Sequence, residues 1–142
     1  MQKPSDQLST SRSRAVRLDS FGGPEVLEIH EVPAPQAGPG QVRVRVTVAG
    51  LNPMDWFMTA DADTAVRFGL SPPAGFGTDY AGVAAQVGDG VTGFAPGDRV
   101  FGGALSRAVA DEGRLRRREI DAFRERHGSR AAKSSTRAPA GS

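Results

Sequence analysis

Apolar and polar positions alternate most regularly over Gln41–Ala49. Val42, Val44, Val46 and Val48 share one parity, and Arg43, Arg45, Thr47 and Ala49 share the other. A period of two is that of a strand with one buried face, so the valines are expected to meet a core and the arginines a solvated surface. Arg14–Leu18 alternates over a shorter length, and Val26–Val32 does so imperfectly; both read as strands. Tyr80–Val87 is small and apolar enough for a buried strand. A turn at Gly88-Asp89-Gly90, an extended piece from Val91 to Phe94, a second turn at Pro96-Gly97-Asp98 and a returning strand at Arg99–Phe101 then make an antiparallel meander.

Between these strands the period changes. Asn52 precedes a proline and is held away from helical geometry, whereas Pro53 suits the first position of a helix and Asp55 suits its positive end. Trp56, Phe57, Met58, Val66 and Phe68 supply apolar material for one or two helical turns. Composition favours core packing for them over the wall of a ligand pocket. Ala104–Ala110 is compatible with a strand or the start of a helix. Leu115, Ile120 and Phe123 form a weak helical stripe, and both Met1–Ser13 and Ser129–Ser142 have the composition of disordered chain.

Gly88, Gly90 and Gly93 spell GxGxxG, the pattern of dinucleotide-binding loops. That chemistry needs a preceding strand and a helix opening from the last glycines, so that free N–H groups meet phosphate. Pro96 and Gly97 oppose a helix at that point. The glycines are therefore read as hairpin turns.

The chain has 142 residues, enough for one domain with tails, and its 18 glycines and 10 prolines favour turns and β structure. It has no cysteine, which excludes disulfides and thiolate metal sites. No apolar window is long enough for a membrane span and no secretory h-region opens the chain, so a soluble cytoplasmic protein is expected. The net charge of +2 is unevenly placed: residues 1–110 carry −2 and residues 111–142 carry +4. Arginines crowd the second segment, but acidic residues are interspersed and aromatics are few, which makes nucleic-acid binding a minor reading. His30 and His127 are the two histidines. They lie in unrelated regions, and no nucleophile elbow is present, so neither a zinc site nor a Ser-His-acid triad can be assembled from them.

Three stretches carry a family resemblance: RAVRLDSFGGPEVL at Arg14–Leu27, GLNPMD at Gly50–Asp55, and GTDYAG from Gly77 with VGDGVTGFAPGDRVFG after it. In order and spacing they resemble the zinc-independent quinone oxidoreductases of the medium-chain dehydrogenase/reductase superfamily, over about residues 14–110. The resemblance implies a mainly β fold: a partial GroES-like open β-barrel with one or two short helices, a helical or disordered basic tail and no Rossmann domain. It implies a leader at 1–13, a GroES-like domain at 14–110 and a non-family tail at 111–142. Relatives reduce quinones, enones or similar carbonyl compounds with NADPH, in a cleft between this domain and a Rossmann domain. Asn52 falls at the nicotinamide end of that cleft. Phe57 takes the place of a cofactor-contacting tyrosine, keeping the ring and losing the phenolic hydrogen bond. The zinc branch would have a cysteine near GLNPMD and a His-Glu pair near Thr78-Asp79; both are missing, so no metal is expected.

The Rossmann domain that follows in relatives is not in this sequence. The composition changes abruptly after Ala110, as a shifted reading frame in GC-rich coding DNA would make it. The chain is accordingly expected to be the N-terminal part of a catalytic domain, inactive and without bound NADPH by itself, and able to dock on a Rossmann domain or a full-length relative. The alternative is a non-catalytic GroES-like interaction module.

Overall fold

The computed structural model describes residues 12–122. Strands β1 (Arg12–Arg17) and β2 (Glu28–Pro33) form an antiparallel ribbon. A five-stranded antiparallel sheet holds β3 (Gln41–Gly50), β4 (Asp79–Val87), β5 (Arg99–Gly103), β6 (Glu112–Arg116) and the two-residue β7 (Asp121–Ala122), in the order β6-β3-β4-β5-β7. Two short helices, α1 (Pro53–Thr59) and α2 (Ala62–Arg67), fill the connection from β3 to β4. The fold is mainly β, and no Rossmann fold is present among the described residues.

The free edge of β1 joins the ribbon to the sheet. Val16 N–H donates to Val109 O at 3.0 Å, Asp111 N–H donates to Arg14 O at 2.8 Å, and Val46 N–H donates to Asp111 O at 2.9 Å. Residues 109–111 therefore lie between β1 and β3 and link the ribbon to the sheet. Leu18 and Ala74 close a further bridge. The Arg14 guanidinium grips Asp111 through Nε at 2.9 Å and Nη2 at 3.2 Å, and this pairing holds the Asp111 carboxyl below the usual aspartate range.

The core lies on one face of the sheet, among Val42, Val44, Tyr80, Ala84, Val100, Leu115 and Ile120. The alternation expected of β3 holds for Val42 and Val44, which are fully buried, and then breaks. A bulge between Val46 and Val48 inserts Thr47 and reverses the parity. Ala49 turns toward the core, while Val48 is 62% exposed.

The segment after Ala110 differs from the helical expectation. β6 pairs with β3 in register, Leu115 lies opposite Val42, and Leu115 and Ile120 are buried in the core. A 3-10 turn at Arg117–Glu119 leads into β7. The physical reason is the edge of β3, whose backbone groups need partners; a segment with one large apolar side chain at the right parity can supply them whatever its helix propensity. The boundary expected at Ala110 thus falls just before a strand of the sheet.

Three smaller expectations also change. Ala104–Ala110 is a turn followed by a bridge to Ala15, neither strand nor helix. Val91 and Phe94 pack against the core without forming a strand. β1 begins at Arg12, inside the leader expected at 1–13. The rest of that leader, Phe123 and the Ser129–Ser142 tail lie outside the described residues.

Candidate active site

The GxGxxG glycines sit in turns. Gly90 and Gly93 have φ of +80° and +87°, and the chain continues through Pro96 to β5 without a helix. The chemistry-bearing side chains collect instead where β3 ends and α1 begins.

Asn52 occupies the N-cap of α1 in extended geometry, with Pro53 at the first helical position. Its backbone N–H donates to Asp55 Oδ2 at 2.8 Å, and the Asp55 side chain is buried beneath the helix start. Thr59 Oγ1 donates to Asp55 O at 3.0 Å, and Thr59 O accepts from Gly22 N–H at 2.9 Å, tying the helix to the loop between β1 and β2. The Asn52 side chain is exposed, and its Nδ2 donates to Asp79 Oδ2 at 2.7 Å. Sheet register brings this pair together: Gly50 at the end of β3 lies opposite Asp79 at the start of β4.

α1 buries Asp55, Met58 and Thr59 and turns Trp56 and Phe57 outward. The core-packing reading therefore holds for Met58 and fails for three of its companions: Trp56 is 36% exposed, Phe57 60% and Val66 70%. Two short helices bury one side each, and five apolar residues in so few turns cannot all reach it. Trp56 meets Phe76 in a tilted arrangement with ring centroids 4.8 Å apart. Phe57 meets Phe68 edge-on at 6.2 Å. Asn52 and Phe57 thus share one short helix, but their partners differ.

At Leu51, the residue before Asn52, opens an apolar cavity of about 320 Å³, lined also by Trp56, Phe76, Leu27, Ile29 and Val109, with Glu28 the charged residue on its wall. Its walls offer surface for a flat apolar ring. Asp79, the partner of Asn52, is a polar residue that the site read from the sequence left out. The signal lay in its motif, GTDYAG, but its partner is 27 residues away in sequence.

Below the site, the Tyr80 hydroxyl donates to Glu119 O at 2.7 Å and fastens the segment before β7 to β4. Burial, with the carboxylates of Glu119 and Asp121 nearby, pushes its phenol well above the ordinary tyrosine range. Arg107 pairs with Glu119 as well. On the opposite ribbon His30 Nε2 lies 2.8 Å from Glu28 Oε2, and Asp19 brings a carboxylate oxygen within 4.8 Å of both. The His30–Glu28 hydrogen bond accounts for two of the three groups.

The sequence model of the alcohol dehydrogenase GroES-like domain matches residues 38–129, across the change in composition at Ala110. The quinone oxidoreductase of Rattus norvegicus is 40% identical over 93 residues, which cover 62% of this chain and 26% of the relative. The chain thus spans about a quarter of the length of such relatives. The solved quinone oxidoreductase from Coxiella burnetii superposes with a TM-score of 0.71 at 26% identity, covering 79% of this chain and 37% of that one. The Escherichia coli quinone oxidoreductase, solved in complex with NADPH, shares the fold, with a TM-score of 0.66 at 23% identity over 78% of this chain and 33% of that one. With this fold and a family match over most of its length, the chain belongs to the alcohol dehydrogenase GroES-like domain family, and its similarities lie with the quinone oxidoreductases.

Proposed function

We propose that this chain is the substrate-side part of an NADPH-dependent quinone or enone reductase, contributing the nicotinamide end of the reaction cleft and needing a nucleotide-binding domain to complete it. The observation that carries the reading is an exposed, oriented Asn52 next in the chain to Leu51, which walls an apolar cavity together with Trp56 and Phe76. In this reading Asn52 and Phe57 contact the cofactor. Asn52 supplies polar groups held in place by Asp55 and Asp79, and Phe57 supplies ring surface. The cavity excludes water from a reacting ring, which strengthens whatever polar contacts remain.

NADPH, when bound, supplies the hydride. The residues present fit its nicotinamide end alone, because the glycines that could cradle phosphate are spent in hairpin turns. Positioning of two reactants contributes about 7–11 kcal/mol to such reactions, and half a site cannot deliver it. No helix among the described residues is long and apolar enough to cross a membrane. In the proposed reading the protein works in the cytoplasm on a small quinone or enone.

The test uses a chimera in which this chain replaces the matching segment of a quinone oxidoreductase relative. The chimera is expected to reduce a quinone with NADPH, and Asn52→Ala in it to lower kcat/KM. The isolated chain is expected to show no turnover and no micromolar NADPH binding. A folded but inactive chimera overturns the reductase reading, and turnover by the isolated chain overturns the need for a second domain.

A second reading, a non-catalytic interaction module, rests on the exposed apolar side chains Ile29, Val48, Leu51, Met54 and Phe57. Co-elution of the isolated chain with a separately expressed Rossmann domain, without turnover, would favour it. Nucleic-acid binding has less support: Arg107 and Arg117 are engaged by Glu119 and the Phe94 ring.

A further inference from the structure

The cluster on the ribbon has no part in the reductase reading. In the register of β1 against β2, Arg17 lies opposite Glu28 and Ala15 opposite His30, so Glu28 and His30 share one face of the ribbon. Asp19 follows the Leu18–Ala74 bridge at the end of β1, and the loop that starts there returns to the ribbon at Glu28. One ligand atom from each of Asp19, Glu28 and His30 comes within 4.8 Å of the other two. The 2.8 Å contact of His30 Nε2 with Glu28 Oε2 leaves the Asp19 carboxylate without a hydrogen bond or ion pair among the described residues. Two carboxylates held close repel each other unless a cation lies between them. Arg17 does not serve: it is opposite Glu28 in register and forms no ion pair with it.

We infer that Asp19, Glu28 and His30 form a binding site for a divalent transition-metal ion of the zinc type, which staples the start of the loop between β1 and β2 to the second strand. One imidazole nitrogen and two carboxylate oxygens are a donor set that zinc accepts, with water in the remaining position. Ligand atoms about 2.1 Å from a tetrahedral zinc stand about 3.4 Å apart. The His30–Glu28 contact therefore has to open slightly and Asp19 to draw in, and both carboxylates are on exposed side chains that are free to turn. The ion takes the lone pair of His30 Nε2, and the ring proton is carried on Nδ1. Magnesium, which prefers oxygen ligands and holds its own water, suits this set less well. The ligands come from the ribbon and not from the GLNPMD and Thr78-Asp79 segments, so the site stands apart from the reductase reading.

The experiment titrates the full chain, free of any tag, with zinc chloride and follows the ring resonances of His30 by NMR and the Tm. Zinc is expected to move the His30 signals saturably below about 1 mM. It is expected to raise Tm, because an ion that binds the folded state alone stabilises it. His30→Gln is expected to abolish the Tm response. Asp19→Asn is expected to weaken binding at least as much as loss of an outer-shell partner does, by about tenfold or more. His127→Gln is expected to leave the His30 response as it was, and magnesium chloride at the same concentrations to leave His30 unshifted. A native chain whose His30 signals do not move saturably overturns the site. Native-like zinc binding by Asp19→Asn overturns the three-ligand assignment. An equal response to magnesium overturns coordination in favour of charge screening. A Tm rise that survives in His30→Gln and disappears in His127→Gln assigns the ion to His127 and overturns the site as well. Backbone resonances outside the ribbon, recorded without metal, report folding of each variant.

Discussion

The core face of the sheet and the outward side of the segment that carries α1 and α2 are built from similar material and end in different surroundings. Val42, Val44, Leu115 and Ile120 are covered on every side, whereas Leu51, Met54, Phe57 and Val66 stand more than half exposed. Burying one such side chain is worth about 1.5–3 kcal/mol, so the first group holds the fold together and the second forgoes a comparable gain. Large apolar side chains left uncovered close together in the chain are the kind of surface that meets something else. In this chain Leu51 and Met54 flank Asn52, whose side chain is held by Asp79. Stability and recognition are therefore carried by separate sets of residues, and substitutions should separate them.

The largest expected effect is at Leu115. It comes from a segment whose composition reads as a basic appendage, yet it plugs the core opposite Val42. Leu115→Ala is expected to lower the unfolding free energy by about 2–5 kcal/mol in urea melts. A change within about 0.5 kcal/mol would mean that β6 adds nothing and that the domain ends near Ala110.

Tyr80 comes next. Tyr80→Phe removes the hydroxyl that donates to Glu119 O and is expected to cost about 0.5–1.5 kcal/mol. The same hydroxyl has an alkaline signature. The folded state holds the phenol above its unfolded value of about 10. Its contribution is complete below that pH and is lost as pH rises beyond it, because the unfolded chain releases the proton first. Native protein should thus lose stability faster than Tyr80→Phe above about pH 10.

A smaller effect of opposite sign belongs to Asp111. Arg14 lowers the folded-state pKa of this carboxyl, so its contribution is present at neutral pH and is lost as pH falls from the ordinary aspartate value of about 4 toward the lower folded one. Asp111→Asn should flatten the acid limb of a Tm-against-pH curve. Both partners are largely solvated, so the difference is expected to be modest and to shrink with added salt. An acid limb identical in the two proteins would show that the Arg14 link between ribbon and sheet contributes nothing.

What the sequence shows, and what it hides, follows the same division. The valine alternation of β3 was legible because a strand with one buried face leaves a period of two. It became illegible at Thr47, where a bulge set by pairing with Gly82 and Ala81 reverses the parity. β6 was hidden because a single leucine among arginines carries no period, and the edge of β3 decided its conformation. The Asn-Pro-x-Asp start of α1 could be read locally, since cap and helix are neighbours in the chain. The Asn52–Asp79 contact could not, because only the register of β3 against β4 brings those residues together. Trp56 and Phe57 were legible as apolar and misread as packed: residue type records affinity for apolar surroundings, not which surroundings are present.

Phe57 gives the smallest expected change in stability and the sharpest separation of the two faces. Its ring is 60% exposed and touches Phe68 edge-on. Phe57→Tyr adds one hydroxyl to an exposed ring, so Tm should stay within what a surface substitution gives, about 0.5 kcal/mol. The added group is a hydrogen-bond donor and acceptor on the recognition face, and in the chimera it should alter KM for NADPH while the melting curve stays in place. If Phe57→Tyr instead lowers Tm as a core substitution does, the ring is packed in solution, and α1 does not present the open face on which the functional reading depends.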